Sequence, residues 1–100
     1  MTSKAEQDVL AERQRQQDKL GWIPEHDDTH SHNEMGLSAA CYAIADPMYL
    51  AGYNGQVIAK LWPWDVEWWK PKAYRENLVR AGALIIAEIE RLDRQESEDG

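Results

Sequence analysis

Four of the five tryptophans in this chain of 100 residues fall between Leu61 and Trp69, immediately before a long stretch with helical periodicity. From Pro71 to Asp93 apolar residues recur every three or four positions, which places them on one face of a helix. These residues are Leu78, Gly82, Ile85, Ile89 and Leu92, with Val79, Ala81 and Ile86 beside them. Charged residues occupy the opposite side. We therefore predict a long closing helix that packs on the core through this apolar face.

Gly82 interrupts that face in the middle of the predicted helix. Glycine inside a helix costs about 1 kcal/mol relative to alanine, and the usual reason to accept this cost is the close approach of another group. We expect a tryptophan ring from residues 62–69 to occupy that position.

The length and composition indicate one small, mainly α domain. The chain has five Trp, four Tyr and no Phe, so large aromatic rings are expected to fill its core. The single cysteine, Cys41, excludes an internal disulfide and lies in an apolar run typical of a buried thiol. No run approaches the roughly 20 apolar residues of a membrane span, and no signal peptide is recognisable. We expect a cytoplasmic protein without a cofactor.

Three main helices and a connecting segment rich in Trp and Pro are predicted. A polar first helix begins at a capping box, Ser3-Lys4-Ala5-Glu6, and ends at Gly21. It can bury only Ala5, Val9, Leu10 and Leu20, with Arg13, Gln16 and Gln17 facing out or half covered. A second helix, residues 35–45, is apolar on nearly every side and should be central.

Two further segments complete the predicted architecture. The motif Gly52-Tyr53-Asn54-Gly55 predicts a turn, and residues 56–59 after it predict a short strand or a loop. Any sheet would be at most a minor strand pair. A single domain is expected over residues 1–94, followed by an acidic disordered tail over residues 95–100.

The distribution of charge favours an anionic small molecule over nucleic acid. The net charge is −7, which argues against a protein that binds the nucleic-acid backbone. Residues 60–80 nevertheless carry five basic and three acidic groups, whereas residues 1–59 carry four and nine, and residues 81–100 carry two and six. The tryptophan-rich segment is therefore the locally positive part of the chain.

Residues 25–34 hold all three histidines and four carboxylates. Imidazole and carboxylate groups are common metal ligands and proton carriers, so this stretch could form a divalent metal site. If a metal binds, Asp28, His30 and Glu34 are the candidate ligands. The histidine spacing matches no standard metal motif, and a solvated loop in which Ser31 or Asn33 caps the next helix is the favoured interpretation.

The segment Trp62–Pro71 carries the most chemical information. Two prolines bracket about one helical turn, which Asp65 is placed to cap. Adjacent helical positions point about 100° apart, so Trp68 and Trp69 cannot both face the core. An exposed indole beside Lys70, Lys72 and Arg75 could stack on a flat ring while the cations bind phosphate. Core positions are favoured for Trp62 and Trp64.

Several short blocks resemble the RyR domain, a small domain repeated in ryanodine receptors and found alone in bacterial and phage proteins. The blocks are an Arg-rich helix, Gly21-Trp22, Asp27-Asp28, Leu61-Trp62-Pro63-Trp64, Lys70, Arg75 and a closing helix. They extend over most of residues 10–90. Trp64 stands where that family usually has Tyr, and the apolar second helix departs from its pattern.

A closer resemblance is to small proteins of tailed phages and prophages with the same Gly-Trp, Glu-His-Asp-Asp and Trp-Pro-Trp blocks. This resemblance implies a phage accessory protein that acts in the host cytoplasm. RyR-like domains are thought to bind nucleotide-derived signals in bacterial immunity.

Our hypothesis from the sequence is a binding protein, without chemistry of its own, that holds a nucleotide-derived anionic molecule and so sequesters a host immune signal. The predicted ligand-binding residues are Trp22, Asp28, His30, Trp68, Trp69, Lys70, Lys72, Arg75 and Arg80. One alternative is a metal-dependent nucleotide hydrolase that uses Glu25, Asp28, His30 and Glu34. Another is an inhibitor that binds a host defence protein. Because the first helix is only weakly amphipathic, a homodimer is a further possible assembly.

Overall fold

The computed structural model describes residues 2–22, 24–29 and 32–99 of the chain. Within these ranges the chain is helical and contains no strand, so the predicted mainly α class is confirmed. The helices are α1 (Lys4–Leu20), α2 (Pro24–Asp27), α3 (Glu34–Ala43), α4 (Tyr53–Leu61) and α5 (Tyr74–Asp99), with a single 3-10 turn at Val66–Trp68. Helices α1, α2 and α3 all pack on α5, and α4 packs on α3.

Helix α1 begins and ends as the sequence predicts, but it buries different side chains. Ser3 and Glu6 form the capping box, and Gly21 ends the helix with φ of 72°, a left-handed conformation that glycine adopts without steric cost. Arg13 and Gln16 are only 5% and 2% exposed. The prediction that they face out or are half covered was wrong: Arg13 binds groups from distant parts of the chain, and Gln16 donates to Glu12 of the same helix.

The apolar residues of α1 contribute less to the core than predicted. Leu10 and Leu20 are 56% and 43% exposed, and Ala5 is exposed as well. Only Val9 is half-buried. The core face of α1 is therefore built around hydrogen-bonded polar groups rather than around an apolar stripe.

Helix α3 is the central helix, as predicted. It buries Met35, Ser38, Ala39, Cys41 and Tyr42. Small side chains on α3 allow its neighbours to approach closely, and Ala39 packs directly with Tyr42 and with residues of α5 in one core cluster.

A buried asparagine connects the end of α3 to the start of α5. The Asn77 side-chain amide donates to the Ala45 carbonyl at 2.6 Å and to the Lys72 carbonyl at 2.9 Å. Its oxygen accepts from the Lys72 backbone N–H at 2.7 Å. All of these polar groups are thereby satisfied inside the protein, which is the condition for burying an amide without a large cost.

Helix α4 replaces the predicted turn and short strand. The Gly-Tyr-Asn-Gly motif lies at its N-terminus, where Gly52 is the N-cap residue and Tyr53 is the first helical residue. The Asn54 side chain donates to the Ile44 carbonyl at 3.1 Å, and Ile58 is buried against Cys41 and Ala45. This packing against the end of α3 overrides the local turn preference of the motif.

Helix α5 buries a different face from the one predicted, although Ala81, which was included in the predicted face, is buried. Leu78, Ile85, Ile89 and Leu92 are 42%, 48%, 51% and 49% exposed. The buried residues are Asn77, Ala81, Ala83, Leu84, Ala87 and Arg91. Alanines on this face let α3 and α1 approach the helix closely, and this explains why the larger apolar residues lie outside.

Two other predictions for α5 also need correction. The close approach at Gly82 exists, but Val9 of α1 makes it instead of a tryptophan: a Cβ at Gly82 would lie 3.2 Å from both Val9 methyl groups. In addition, α5 continues to Asp99, where a disordered tail was predicted from Gln95. Residues 95–99 contain neither glycine nor proline, so nothing in them interrupts the helix.

Within the described ranges, every helix is too short or too polar to serve as a membrane span.

Candidate ligand-binding site

Five aromatic rings from three separate segments meet beside α3. The Trp62 ring lies 5.8 Å from Tyr42, 5.5 Å from Trp64 and 4.9 Å from Trp69, measured between ring centroids. The Trp22 ring lies 6.1 Å from Trp64. All three Trp62 contacts are edge-to-face, a geometry that the ring quadrupole favours. These five residues are called the aromatic cluster below.

The 3-10 turn separates the two adjacent tryptophans, as the sequence predicts. Trp69 points inward, with its ring 4.8 Å from Tyr42, whereas Trp68 is 59% exposed. Asp65 is the N-cap residue of the turn but makes no capping bond with its side chain. Its backbone carbonyl instead accepts from the Trp62 indole N–H at 3.0 Å, which holds the turn against the cluster.

A cavity of about 780 Å³ opens between the aromatic cluster, α1 and α5. Trp22, Tyr42, Trp62, Trp64 and Trp68 form its aromatic wall. Leu20, Met35, Pro63 and Leu84 add apolar surface. The cavity lies within the range of about 300–1,000 Å³ that is typical of small-molecule sites.

The polar side of the cavity includes a buried acceptor without a hydrogen bond. Gln16 is 2% exposed and lines the cavity. Its Nε2 donates to Glu12 at 3.2 Å, whereas its Oε1 has no hydrogen-bond partner within the described part of the chain. A buried acceptor left in this state costs roughly 1–3 kcal/mol, so an N–H group of a ligand would relieve this cost.

Glu12 also fixes Arg15 at the edge of the cavity. Two guanidinium nitrogens of Arg15 donate to the two Glu12 oxygens, both at 2.8 Å. This hydrogen bonding raises the pKa of Arg15, and partial burial opposes the rise. Glu12 is consequently neutralised within the protein and adds little repulsion toward an anion in the cavity.

Arg80 lies where this cavity meets a second one. It donates to the Lys70 carbonyl at 2.5 Å, and its guanidinium carbon lies 5.7 Å from the centroid of the Tyr42 ring. The second cavity, of about 550 Å³, is lined by Arg80, Lys72 and Arg75. Arg75 is paired with Asp8 of α1 at 2.8 Å.

Neither the known protein families, nor the curated proteins, nor the solved structures give a match to this chain. The geometry of the site is therefore the basis for assigning a function to this protein.

The predicted binding residues are divided between several places. Trp22, Trp68, Lys70 and Arg80 line the large cavity, whereas Lys72 and Arg75 line the second cavity. Trp69 packs in the aromatic cluster and lines neither of the two cavities. The tryptophan segment and the cations after it thus come together around Arg80.

Of the described residues in the acidic and histidine-rich stretch, Asp27 lines the large cavity, whereas Asp28 and Glu34 do not. Asp28 pairs with Arg94 of α5 at 2.7 Å, and a Glu34 oxygen accepts from the His32 backbone N–H at 2.5 Å. The described residues contain no group of three side chains arranged to hold a metal ion. His30, predicted both as a ligand contact and as a metal ligand, lies outside the described residues.

Sequence reasoning missed the contributions of α1 and α3 to the cavity. Gln16 and Arg15 lie on a helix whose polar sequence predicts exposure to solvent. Tyr42 lies in an apolar run, which predicts a core position away from any ligand. A usable signal was present: Val9, Arg13, Gln16 and Leu20 are spaced at intervals of four, three and four, which places them on one face. The polar members of that face therefore had to find polar partners inside the protein.

Proposed function

We propose that this protein is a binding module for a planar, anionic, nucleotide-like small molecule. The observation that carries the proposal is a single cavity lined by an aromatic wall, by Gln16 with its unbonded buried acceptor, and by Lys70 and Arg80. The ring of the ligand would lie against the aromatic wall, and its anionic group would lie at Lys70 and Arg80.

The aromatic wall provides the affinity for a flat ring. Trp68 is the most exposed of the wall tryptophans, and its neighbours Trp62 and Trp64 are held in place by edge-to-face contacts. A base stacked on an indole gains about 1–3 kcal/mol. Gln16 Oε1 would accept a hydrogen bond from an amino or ring N–H group, which heteroaromatic bases carry and simple hydrocarbons lack.

The charges around the cavity favour an anion at one end. Three acidic residues line the cavity: Glu12 is bound by Arg15, Asp27 is bound by the buried Arg13, and Asp65 forms no ion pair within the described chain. Neither Lys70 nor Arg80 forms an ion pair within the described chain, so both cations remain available to a phosphate or carboxylate. Arg80 also lines the second cavity, where Lys72 adds a further cation and Arg75 is paired with Asp8.

The biological setting is a further part of the proposal. The Gly-Trp, Glu-His-Asp-Asp and Trp-Pro-Trp blocks resemble small phage proteins, and a phage protein with this cavity would sequester a nucleotide-derived immune signal in the host cytoplasm. This setting rests on the resemblance alone, whereas the ligand class rests on the cavity.

Isothermal titration calorimetry with matched ligands tests the proposal. ADP-ribose and cyclic di-AMP combine a base with phosphate, adenosine provides the base alone, and ribose 5-phosphate provides the anion alone. We expect binding of at least one combined ligand and weaker binding of both fragments. Trp68→Ala should weaken binding of the combined ligand by about 5- to 150-fold. Tyr53→Ala, which removes a ring that is 77% exposed and lies outside both cavities, is the matched control.

A second variant distinguishes binding of the ligand's anionic group from binding of its ring. Arg80→Met should weaken binding of the combined ligand and of ribose 5-phosphate more than binding of adenosine. Binding should persist in EDTA, with the ligand recovered intact. The proposal would be wrong if no ligand of the panel bound, or if Trp68→Ala behaved like the Tyr53→Ala control. Turnover that EDTA abolishes would support the hydrolase instead.

A further inference from the structure

An apolar stripe on α5 has no partner within the described chain. It consists of Leu78, Ile85, Ile89 and Leu92, all between 42% and 51% exposed. The stripe extends for about 21 Å along the helix, from the rise of about 1.5 Å per residue. Large side chains left in water at this spacing would gain free energy on burial.

The spacing of the stripe is that of a helix that pairs with another helix. Leu78, Ile85 and Leu92 are seven residues apart, and Gly82 and Ile89 form the second series, also seven apart. These are the a and d positions of a heptad, with Gly82 and Ile89 at a. Val9 of α1 lies against Gly82, so α1 borders the stripe at this position.

The charges around the start of α5, including the segment just before it, complement those at its end. Residues 70–80 carry four basic groups and one acidic group, whereas residues 93–99 carry one basic group and four acidic groups. Lys70, Lys72 and Arg75 at the first end and Asp93 and Glu96 at the second end are exposed. An antiparallel pair of α5 helices places the basic end of each copy beside the acidic end of the other. A parallel pair would place like charges together.

We propose that the α5 stripe is the interface of a homodimer in which the α5 helices of two copies pair in antiparallel orientation. Each a position then faces a d position of the partner, so that Ile85 opposes Ile89 and Leu78 opposes Glu96 at the rim. The interface is self-complementary, because the same stripe is used by both copies. The proposal is independent of any ligand in the cavity.

Sedimentation velocity of the full chain, from low to high micromolar concentration, tests for the dimer. The unsubstituted chain should show a monomer–dimer equilibrium. Ile89→Lys should weaken the dimer at least about tenfold, because it places a charge at the centre of the apolar stripe. Met48→Lys, at a residue that is 79% exposed and outside α5, should leave the equilibrium unchanged. Circular dichroism shows whether each variant is folded, and Ile85→Lys is a second test if Ile89→Lys is not.

Cysteine cross-linking tests the orientation. A chain that carries both Leu78→Cys and Glu96→Cys should form a covalent dimer on mild oxidation, while each single variant should remain monomeric on a non-reducing gel. The native Cys41 is buried and does not interfere. The proposal is overturned if the chain is monomeric throughout, if Ile89→Lys and Ile85→Lys leave the dimer intact, or if either single cysteine variant cross-links to itself.

Discussion

Arg13 joins three separate parts of the chain through one guanidinium group. It donates to Asp27 of α2 at 2.8 Å, to the Trp22 carbonyl at 3.1 Å and to Glu90 of α5 at 3.2 Å. Both Arg13 and Asp27 are almost fully buried. A pair of this kind contributes modest net stability when it is intact, but the loss of one partner leaves an uncompensated charge inside the protein.

Asp27→Asn should therefore lower the free energy of unfolding by about 3–5 kcal/mol. The matched control is Asp8→Asn, which breaks the exposed pair with Arg75 at the same N···O distance of 2.8 Å. Because that pair is solvated, the control should cost less than about 1 kcal/mol. Urea unfolding of both variants measures the difference. Equal losses would mean that the Arg13–Asp27 pair is not the buried link described above.

Cys41 gives a prediction for alkaline pH. Burial raises the pKa of its thiol from the ordinary value of 9.0 to about 11. Between these pH values the unfolded chain has released the proton while the folded chain retains it, so ionisation favours unfolding. The contribution of the protonated thiol to the free energy of unfolding is fully present below pH 9 and is lost as the pH rises through about 11. Unfolding in urea at several pH values should show a steeper loss for the native chain than for Cys41→Ala. Parallel profiles would contradict the prediction.

Helix α5 shows why a periodic pattern does not by itself identify the buried face. Its sequence has two stripes, one of large residues at Leu78, Ile85 and Leu92 and one of mostly small residues around Ala81 and Leu84. Hydrophobicity favours the first stripe, but α3 is rich in alanine and requires a close partner. Which face of α5 is buried depends on how α3 and α5 pack together. The sequence pattern of α5 alone carries no information about that packing.

Leu84→Ala and Ile85→Ala, at adjacent positions, test which face of α5 points to the core. Leu84 is 1% exposed, so its truncation should lower the free energy of unfolding by about 2–5 kcal/mol. Ile85 is 48% exposed, so its truncation should cost under about 1 kcal/mol in dilute monomeric protein. Chemical denaturation at low protein concentration distinguishes the two. A larger loss in the free energy of unfolding for Ile85→Ala than for Leu84→Ala would mean that the face predicted from the sequence is the buried one.

Local signals identified the ends of elements more reliably than their partners. The capping box at Ser3, the end of α1 at Gly21 and the different environments of Trp68 and Trp69 follow from short-range geometry, and all three are present. The burial of Gln16 and the formation of α4 depend on contacts with distant segments. For the same reason, the sequence indicated the tryptophans and cations of the cavity but not the wall formed by α1 and Tyr42.

Helix α5 provides the surface on which the rest of the molecule is assembled. Among the residues that the structure describes, three ion pairs attach it to the N-terminal part of the chain: Arg13 with Glu90, Arg75 with Asp8 and Arg94 with Asp28. The large cavity lies between α1 and the tryptophan segment, with α5 as its floor through Arg80 and Leu84. Segments that are far apart in the sequence therefore share the wall of one site.

A ligand in this cavity should stabilise the whole molecule rather than one segment. At a ligand concentration of 100 times Kd, binding to the folded state adds about 2.7 kcal/mol to the free energy of unfolding. Hydrogen exchange should then slow in α1 and in residues 62–70 together, since both contact the same molecule. Trp68→Ala should reduce both effects at the same ligand concentration, whereas Tyr53→Ala should not. Protection confined to the tryptophan segment, despite saturating calorimetric binding, would show that the ligand occupies the exposed Trp68 surface and leaves the cavity between the helices empty.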